Sequence, residues 1–68
     1  MKWEYRTEMV KIRKRIGLGG RSCVETSDVD ESLNKLGPEG WELVSAVESF
    51  DLGGKPTGVL LLFKRPKA

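Results

Sequence analysis

Four basic residues have the types and spacing that suit the binding of an anion: Lys11, Arg13, Arg15 and Arg21. The first three alternate along the chain, so an extended backbone would place them on one face, and Arg21 follows in a loop that contains Gly17–Gly20. The guanidinium group of arginine holds phosphate through two parallel hydrogen bonds. The cluster therefore predicts a site for a phosphate-bearing small molecule, and a solvated charged surface is the competing interpretation.

Two aromatic residues, Trp3 and Tyr5, are a second candidate for ligand contact. They fall on the same face of a stretch in which polar and β-favouring residues alternate. A flat ring stacks on a planar ligand and loses little conformational entropy in doing so. Packing in the core is the competing interpretation of both rings. The two rings therefore either stack on a ligand or fill the core.

The residue types in the sequence do not favour an enzyme. The sequence contains no histidine, which removes the commonest general base, triad partner and metal ligand. Cys23 is the only cysteine, and one thiol makes neither a disulfide within the chain nor a zinc site. The clustered acids Asp28, Asp30 and Glu31 are explained by their favourable position at the start of a helix. We therefore expect no catalytic residues, no bound metal and no cofactor.

The length of the chain limits how it can be stabilised. Its 68 residues allow one domain, spanning 1–68, with a thin core. Without a disulfide or a metal, association with copies of itself is the remaining way to add stability to so thin a core. A single cysteine favours a reducing compartment, and no apolar run approaches the roughly 18 residues needed to cross a bilayer. We expect a cytoplasmic homo-oligomer that makes no contact with membranes.

Three segments have the periodicity of β-strands: 2–9, Trp41–Phe50 and Gly58–Arg65. In the first strand the apolar positions move from the odd-numbered residues to Val10 and Ile12. A strand cannot exchange its faces without an irregularity, so this shift predicts a bulge or a sharp twist.

One helix is predicted between the first two strands. Ser27 or Asp28 has the side chain of an N-cap residue. Gly37 is expected to end the helix in a left-handed conformation, because Pro38 prevents its continuation. A sheet can cover the single apolar stripe of this helix, which consists of Val29, Leu33 and Leu36.

The third strand determines the predicted topology, because Val59–Phe63 is apolar at every position. Such a strand needs cover on both faces and belongs at the centre of a sheet. A hairpin places it beside the second strand, and a right-handed crossover through the helix places the first strand on its other side. The predicted fold is therefore α+β: a small three-stranded sheet of order 1-3-2, strand-helix-strand-strand, with one helix on one face.

The face without the helix is predicted to form an interface, because exposed apolar patches usually mark one. We expect two sheets to pack face to face in a homo-oligomer. An extra short strand from residues 21–25 is the alternative, since it would broaden the sheet. The residues predicted to line this interface are Val44, Ala46, Phe50, Leu60 and Leu62.

Five short segments, in consistent order over nearly the whole chain, resemble a known family. They are Lys2-Trp3-Glu4-Tyr5, Leu33-Asn34, Leu36-Gly37, Glu39-Gly40-Trp41-Glu42-Leu43-Val44 and Phe63-Lys64-Arg65-Pro66. On these residues the chain is similar to the small bacterial and phage proteins of the domain-of-unknown-function family number 4177. The resemblance implies a strand-helix-strand-strand unit and supplies no catalytic residues or cofactor. By size and setting it suggests an analogy with very small phage proteins that sequester nucleotide-derived immune signals between subunits, in the host cytoplasm.

These observations predict a non-enzymatic binding protein that works as a dimer or higher homo-oligomer. Its expected ligand is a small, anionic, nucleotide-like molecule held near the subunit interface. One alternative is an adaptor whose apolar sheet face docks a different protein. The other is a weak nucleic-acid binder that uses the same basic residues. The net charge of +2 and the acidic helix argue against strong binding to a duplex.

Overall fold

The computed structural model describes residues 1–14 and 22–68 of the chain. The predicted binding residues Arg15 and Arg21, and the Gly17–Gly20 loop, lie outside these described residues. The elements, in chain order, are β1 (Trp3–Lys11), β2 (Arg13–Lys14), β3 (Ser22–Cys23), α1 (Thr26–Leu36), a 3₁₀ turn (Gly37–Glu39), β4 (Glu42–Phe50) and β5 (Pro56–Pro66). Within the described part of the chain, no helix is both long enough and apolar enough to cross a membrane.

The three long strands form one sheet of order β1-β5-β4, in which β5 is antiparallel to both neighbours. This confirms the predicted α+β fold with the last strand at the centre. β3 pairs with β2 in a separate two-stranded ladder, so it does not broaden the main sheet as the alternative prediction required.

The core lies between α1 and one face of the central strand. Leu36 of α1 is fully buried against Leu61 and Phe63 of β5, and Val10 of β1 completes the buried set. The predicted helix stripe is confirmed, because its other two members pack against the same cluster, as does Trp41. Burial of a large aliphatic or aromatic side chain contributes about 1.5–3 kcal/mol, so these few contacts supply most of the stability of a small domain.

Both ends of α1 differ from the prediction. The helix begins at Thr26, and its N-cap residue Glu25 makes no capping hydrogen bond through its side chain. At the other end Gly37 is right-handed, with φ of −54°, and the chain continues into the 3₁₀ turn. Gly40 takes the left-handed conformation instead, with φ of +91°. Its N–H donates to the carbonyl of Gly37, and the N–H of Trp41 donates to that of Leu36, so the last carbonyl of the helix is satisfied.

The pairing of β1 is regular, so of the two irregularities predicted after Met9, a bulge or a sharp twist, the bulge does not occur. Its pairing runs without a shift from Trp3 opposite Pro66 to Lys11 opposite Gly58. No bulge is needed because the face of β1 towards the helix includes three charged side chains, which pair with other charges instead of packing as apolar groups. The residues on that face of β1 are Glu4, Arg6, Glu8 and Val10.

The irregularity lies in β4. Leu43 pairs with Phe63 but Ser45 pairs with Leu62, which leaves Val44 as an extra residue, a β-bulge. The alternation of side chains therefore changes phase at this point. Leu43, before the bulge, therefore lies on the side of Phe63, whereas Ser45 and Val47, after it, lie on the opposite side of the sheet.

An ion pair joins β1 to the helix. The Nζ of Lys35 lies 3.0 Å from the Oε1 of Glu8, and Arg6 approaches the same oxygen at 3.2 Å. The hydrogen bond from Lys35 is the main reason why the pKa of Glu8 lies below its ordinary value of 4.5. A depressed carboxyl pKa stabilises the fold above the unfolded-state pKa, and that contribution is lost as the pH falls through the folded-state pKa.

We expect Glu8→Gln to lower the free energy of unfolding at pH 7 by about 0.5–1 kcal/mol, as for a largely exposed ion pair. The difference from the unsubstituted protein should begin to shrink as the pH falls below about 4.5, where Glu8 of the unfolded chain takes up a proton. It should be lost once the pH is below the lowered pKa of folded Glu8, because the carboxyl is then neutral in both states. Urea denaturation at pH 7 and pH 3 measures both values. Glu48→Gln removes an exposed carboxyl from β4 and serves as the control. A difference that stays constant with pH would contradict the role given to the Glu8 charge.

Candidate ligand and partner surface

The sheet face opposite α1 gathers side chains from all three long strands. Residues directly opposite each other in an antiparallel pair point to the same side, so the register defines this helix-free face. It is formed by Trp3, Tyr5, Thr7, Met9 and Lys11 of β1, by Leu60, Leu62 and Lys64 of β5, and by Glu42, Ser45, Val47 and Ser49 of β4.

The centre of the helix-free face is apolar. Met9, Leu60 and Val47 form one row across the three strands, and Leu62 extends it along β5. Met9 is 45% exposed and Val47 is 53% exposed, although both lie beside the buried central strand. Within residues 1–14 and 22–68 no layer of the chain covers this row. An apolar row that spans a sheet in this way is suited to contact with another protein surface.

One end of the helix-free face carries aromatic rings and an ammonium group. The Nζ of Lys64 lies 4.4 Å from the centroid of the Trp3 ring, within the range of a cation–π contact. Tyr5 lies directly opposite Lys64 in the register and is 72% exposed, while Trp3 is 39% exposed. Neither ring belongs to the core cluster, so core packing, the competing interpretation of these residues, is wrong.

The predicted basic cluster is only partly assembled in the described residues. Lys11 lies on the helix-free face, opposite Gly58. Arg13 instead reaches α1, where its Nε and Nη2 donate to the two carboxylate oxygens of Asp28 at 2.6 and 2.7 Å. This hydrogen-bonded pair raises the pKa of Arg13. Lys11 and Arg13 line the same cavity of about 280 Å³. The Asp28 carboxylate, however, occupies the position at which a phosphate would bind the Arg13 guanidinium.

The predicted interface residues do not share one face. Leu60 and Leu62 lie on the helix-free face, as predicted, but Ala46 points to the side that α1 occupies. Val44 and Phe50 sit at the two register irregularities of β4 and are exposed. The grouping was wrong because the bulge exchanges the faces of β4. The role of the helix-free face as an interface stays a prediction.

A second polar cluster, which the sequence reasoning missed, joins three distant parts of the chain. The Nε of Arg65 donates to Glu4 Oε1 at 2.5 Å, and its Nη1 donates to the carbonyl of Glu39 at 2.7 Å. The guanidinium also lies 4.2 Å from the centroid of the Trp41 ring. We call these four residues the Arg65 clasp. Each belongs to a segment of the family resemblance, which was the only signal in the sequence that pointed to them.

The Arg65 clasp borders a shallow groove of about 380 Å³, lined by Glu4, Glu39, Gly40, Arg65, Pro66 and Ala68. Its only guanidinium is already held by a carboxylate and a carbonyl, so the groove presents no unengaged cation to a ligand. Within residues 1–14 and 22–68, no three histidine, cysteine, aspartate or glutamate side chains are grouped so that they could hold a metal ion.

The fold and the site define a small α+β domain with an open sheet face bearing apolar and aromatic side chains. A family model described as a domain of unknown function, DUF4177, matches residues 3–66, and the chain therefore belongs to that family. No curated protein and no solved structure matches the chain.

Proposed function

We propose that the protein is a non-enzymatic binding protein that works as a homo-oligomer and captures a small anionic, nucleotide-like ligand. The observation that carries the proposal is the apolar row across the helix-free face, centred on Met9, Leu60 and Val47. Exposed apolar area of this kind is stabilised by contact with a complementary surface. The partner that fits best is a second copy of the same chain.

The amount of exposed surface supports self-association. The chain exposes 5412 Å², whereas a folded monomer of its 7.6 kDa mass exposes roughly 4,300 Å². The radius of gyration of the Cα atoms is 14.3 Å, against roughly 11 Å for a compact domain of this length.

The symmetry of such a contact follows from the use of one face by both copies. Two identical patches that pack against each other form an isologous, two-fold interface, which closes as a dimer. Face-to-face packing of two sheets would then bury Met9, Leu60, Leu62 and Val47 of each copy. The polar residues at the two ends of the helix-free face would lie at the rim of the contact.

Ligand capture is proposed at that rim. Lys64 lies at one end of the helix-free face and Lys11 at the other, so each copy would offer cations beside the contact. Arg15 and Arg21 are further candidates. We place this activity in the cytoplasm, because a single cysteine suits a reducing compartment.

We expect Val47→Lys to convert the oligomer into a monomer, because the charge would be buried in the contact between two sheets. Size-exclusion chromatography with light scattering measures the mass of each variant. Leu52→Lys is the matched control, since Leu52 is fully exposed in the turn between β4 and β5 and lies off the sheet face. It should leave the mass unchanged.

Two outcomes would count against the proposal. An unsubstituted protein that is monomeric at micromolar concentration would refute self-association and favour an adaptor that docks a different protein. Equal masses for Val47→Lys and the unsubstituted oligomer would place the contact elsewhere. Native mass spectrometry of protein purified from its producing cells tests the ligand, since a stoichiometric small-molecule adduct is the expected result.

A further inference from the structure

We infer that Trp3, Tyr5 and Lys64 form a nucleotide platform, in which a base stacks on the exposed Tyr5 ring and the Lys64 ammonium, held over the Trp3 ring, binds the phosphate. The inference rests on the proposed function and specifies the site and the ligand class. It depends on the contact between Lys64 and the Trp3 ring and on the exposure of Tyr5 beside them.

The exposure of the two rings is the first reason. Tyr5 leaves almost three-quarters of its surface in water, although it lies on a strand whose other face is the core side of the sheet. A base that stacks on an exposed ring removes apolar area from water on both partners. Alanine substitution at such stacking sites in other proteins shows that they contribute strongly and tolerate any base.

The position of the ammonium group is the second reason. The Lys64 ammonium covers one face of the Trp3 ring, and Lys64 lies opposite Tyr5. Its charge is therefore within reach of a phosphate attached to a base that stacks on the Tyr5 ring. Glu42 lies opposite Lys64 on its other side. Because a carboxylate repels phosphate, the phosphate is expected on the β1 side of Lys64, above the rings.

The spacing of these groups limits the size of the ligand. Trp3 and Tyr5 are two residues apart on one strand, or roughly 7 Å, which accommodates one or two bases. The next cation on this face, Lys11, lies six residues beyond Tyr5, or roughly 20 Å away. A mononucleotide or dinucleotide therefore fits the platform better than a long single strand, which needs a continuous basic track.

The platform lies beyond the apolar centre of the helix-free face. The row of Tyr5, Lys64 and Glu42 is separated from the row of Met9, Leu60 and Val47 by that of Thr7, Leu62 and Ser45. Binding and self-association thus use neighbouring residues instead of the same ones. Each can be removed by substitution without removing the other.

Isothermal titration of the unsubstituted protein at low salt tests the inference with three probes: AMP, 5′-phosphorylated diadenosine and ribose 5-phosphate. AMP and the dinucleotide should bind about 5- to 100-fold more tightly than ribose 5-phosphate, which lacks a base. Tyr5→Leu and Lys64→Gln should each weaken AMP binding at least fivefold. Phe50→Leu and Lys55→Gln are matched controls at the opposite end of the sheet and should bind AMP like the unsubstituted protein.

The outcomes separate this inference from the proposed function. Equal affinity for AMP and ribose 5-phosphate would overturn the base platform and leave anion capture in place. Unchanged AMP binding by Tyr5→Leu and Lys64→Gln, or binding of long oligoadenylate alone, would also overturn it. A monomer that still binds AMP through these residues would uphold the platform and refute self-association, and light scattering on the titrated samples shows which case holds.

Discussion

Replacing Gly58 with alanine is expected to lower the free energy of unfolding by about 2–5 kcal/mol, a large part of the stability of a small domain. Gly58 lies in the central strand, where an added Cβ would come 2.2 Å from the carbonyl oxygen of Val10 and 3.1 Å from the Cα of Lys11. Both neighbours are backbone atoms, so β1 would have to move away from β5. The φ of +155° at this position adds strain for any residue with a side chain.

Gly37→Ala provides the matched comparison. Gly37 is right-handed, and no atom lies within 4 Å of the Cβ that alanine would add. Alanine should therefore change stability by less than about 1 kcal/mol, in the stabilising direction if at all. Urea denaturation of both variants, with m-values compared, measures the two effects. Equal effects at Gly58 and Gly37 would refute the close approach of β1 and β5.

Replacing Arg65 with alanine is expected to lower the melting temperature by roughly 10–20 °C, which corresponds to about 2–3 kcal/mol in a domain of this size. The substitution removes the hydrogen bonds to Glu4 and Glu39 and the contact with the Trp41 ring. These contacts join β1, the corner after α1 and β5, so the loss should affect the whole fold. Thermal denaturation at fixed protein concentration measures it.

Arg6→Ala and Arg65→Lys are the comparisons for this effect. Arg6 is paired with Glu8 at 3.2 Å on an exposed part of the surface, and the loss of this pair should lower stability by less than about 1 kcal/mol. Lysine at position 65 keeps the charge but lacks the planar fork that reaches a carboxylate and a carbonyl together, so it should restore only part of the stability. If Arg65→Lys were as stable as the unsubstituted protein, the charge alone would account for the effect. That result would contradict the role given to the hydrogen-bond geometry of the Arg65 clasp.

The sequence was sufficient to predict the topology because one segment limited the options strongly. Val59–Phe63 is apolar at every position, and only a central strand suits such a pattern. The short turn before this strand places it beside β4. A right-handed crossover through the helix then leaves one position for β1, on the other side of the central strand. The helix stripe was equally clear, because apolar residues at helical spacing had one sheet against which to pack.

The irregular positions could not be predicted, because the competing backbone conformations differ little in sequence preference. Gly37 and Gly40 are both glycines near the end of α1, and only the position of Trp41 in the core selects Gly40 as the left-handed residue. Nothing in the composition of β4 marks Val44 as an extra residue. A one-residue shift there moves every later side chain of the strand to the other face, so the predicted interface residues were divided between two faces.

The candidate site was predicted in part. Trp3 and Tyr5 were correctly grouped on one face because strict alternation determines which side chains share a side. The pairing of Arg13 with Asp28 depends on where β2 meets α1, which is a long-range contact without a local pattern. Lys64 could be placed beside the rings only after the register of β1 and β5 was known.

The central position of the last strand has a consequence for the order of events during synthesis. β1 and β4 each pair only with β5 in the three-stranded sheet, and β5 begins at Pro56. No part of this sheet can therefore form before residues 56–66 have been translated, and β1 waits for a partner more than forty residues away. Such non-local pairing makes folding slow in comparison with helical domains. A nascent chain that stops before β5 has α1 and two strands with nothing to pair against, which leaves it open to proteases and aggregation.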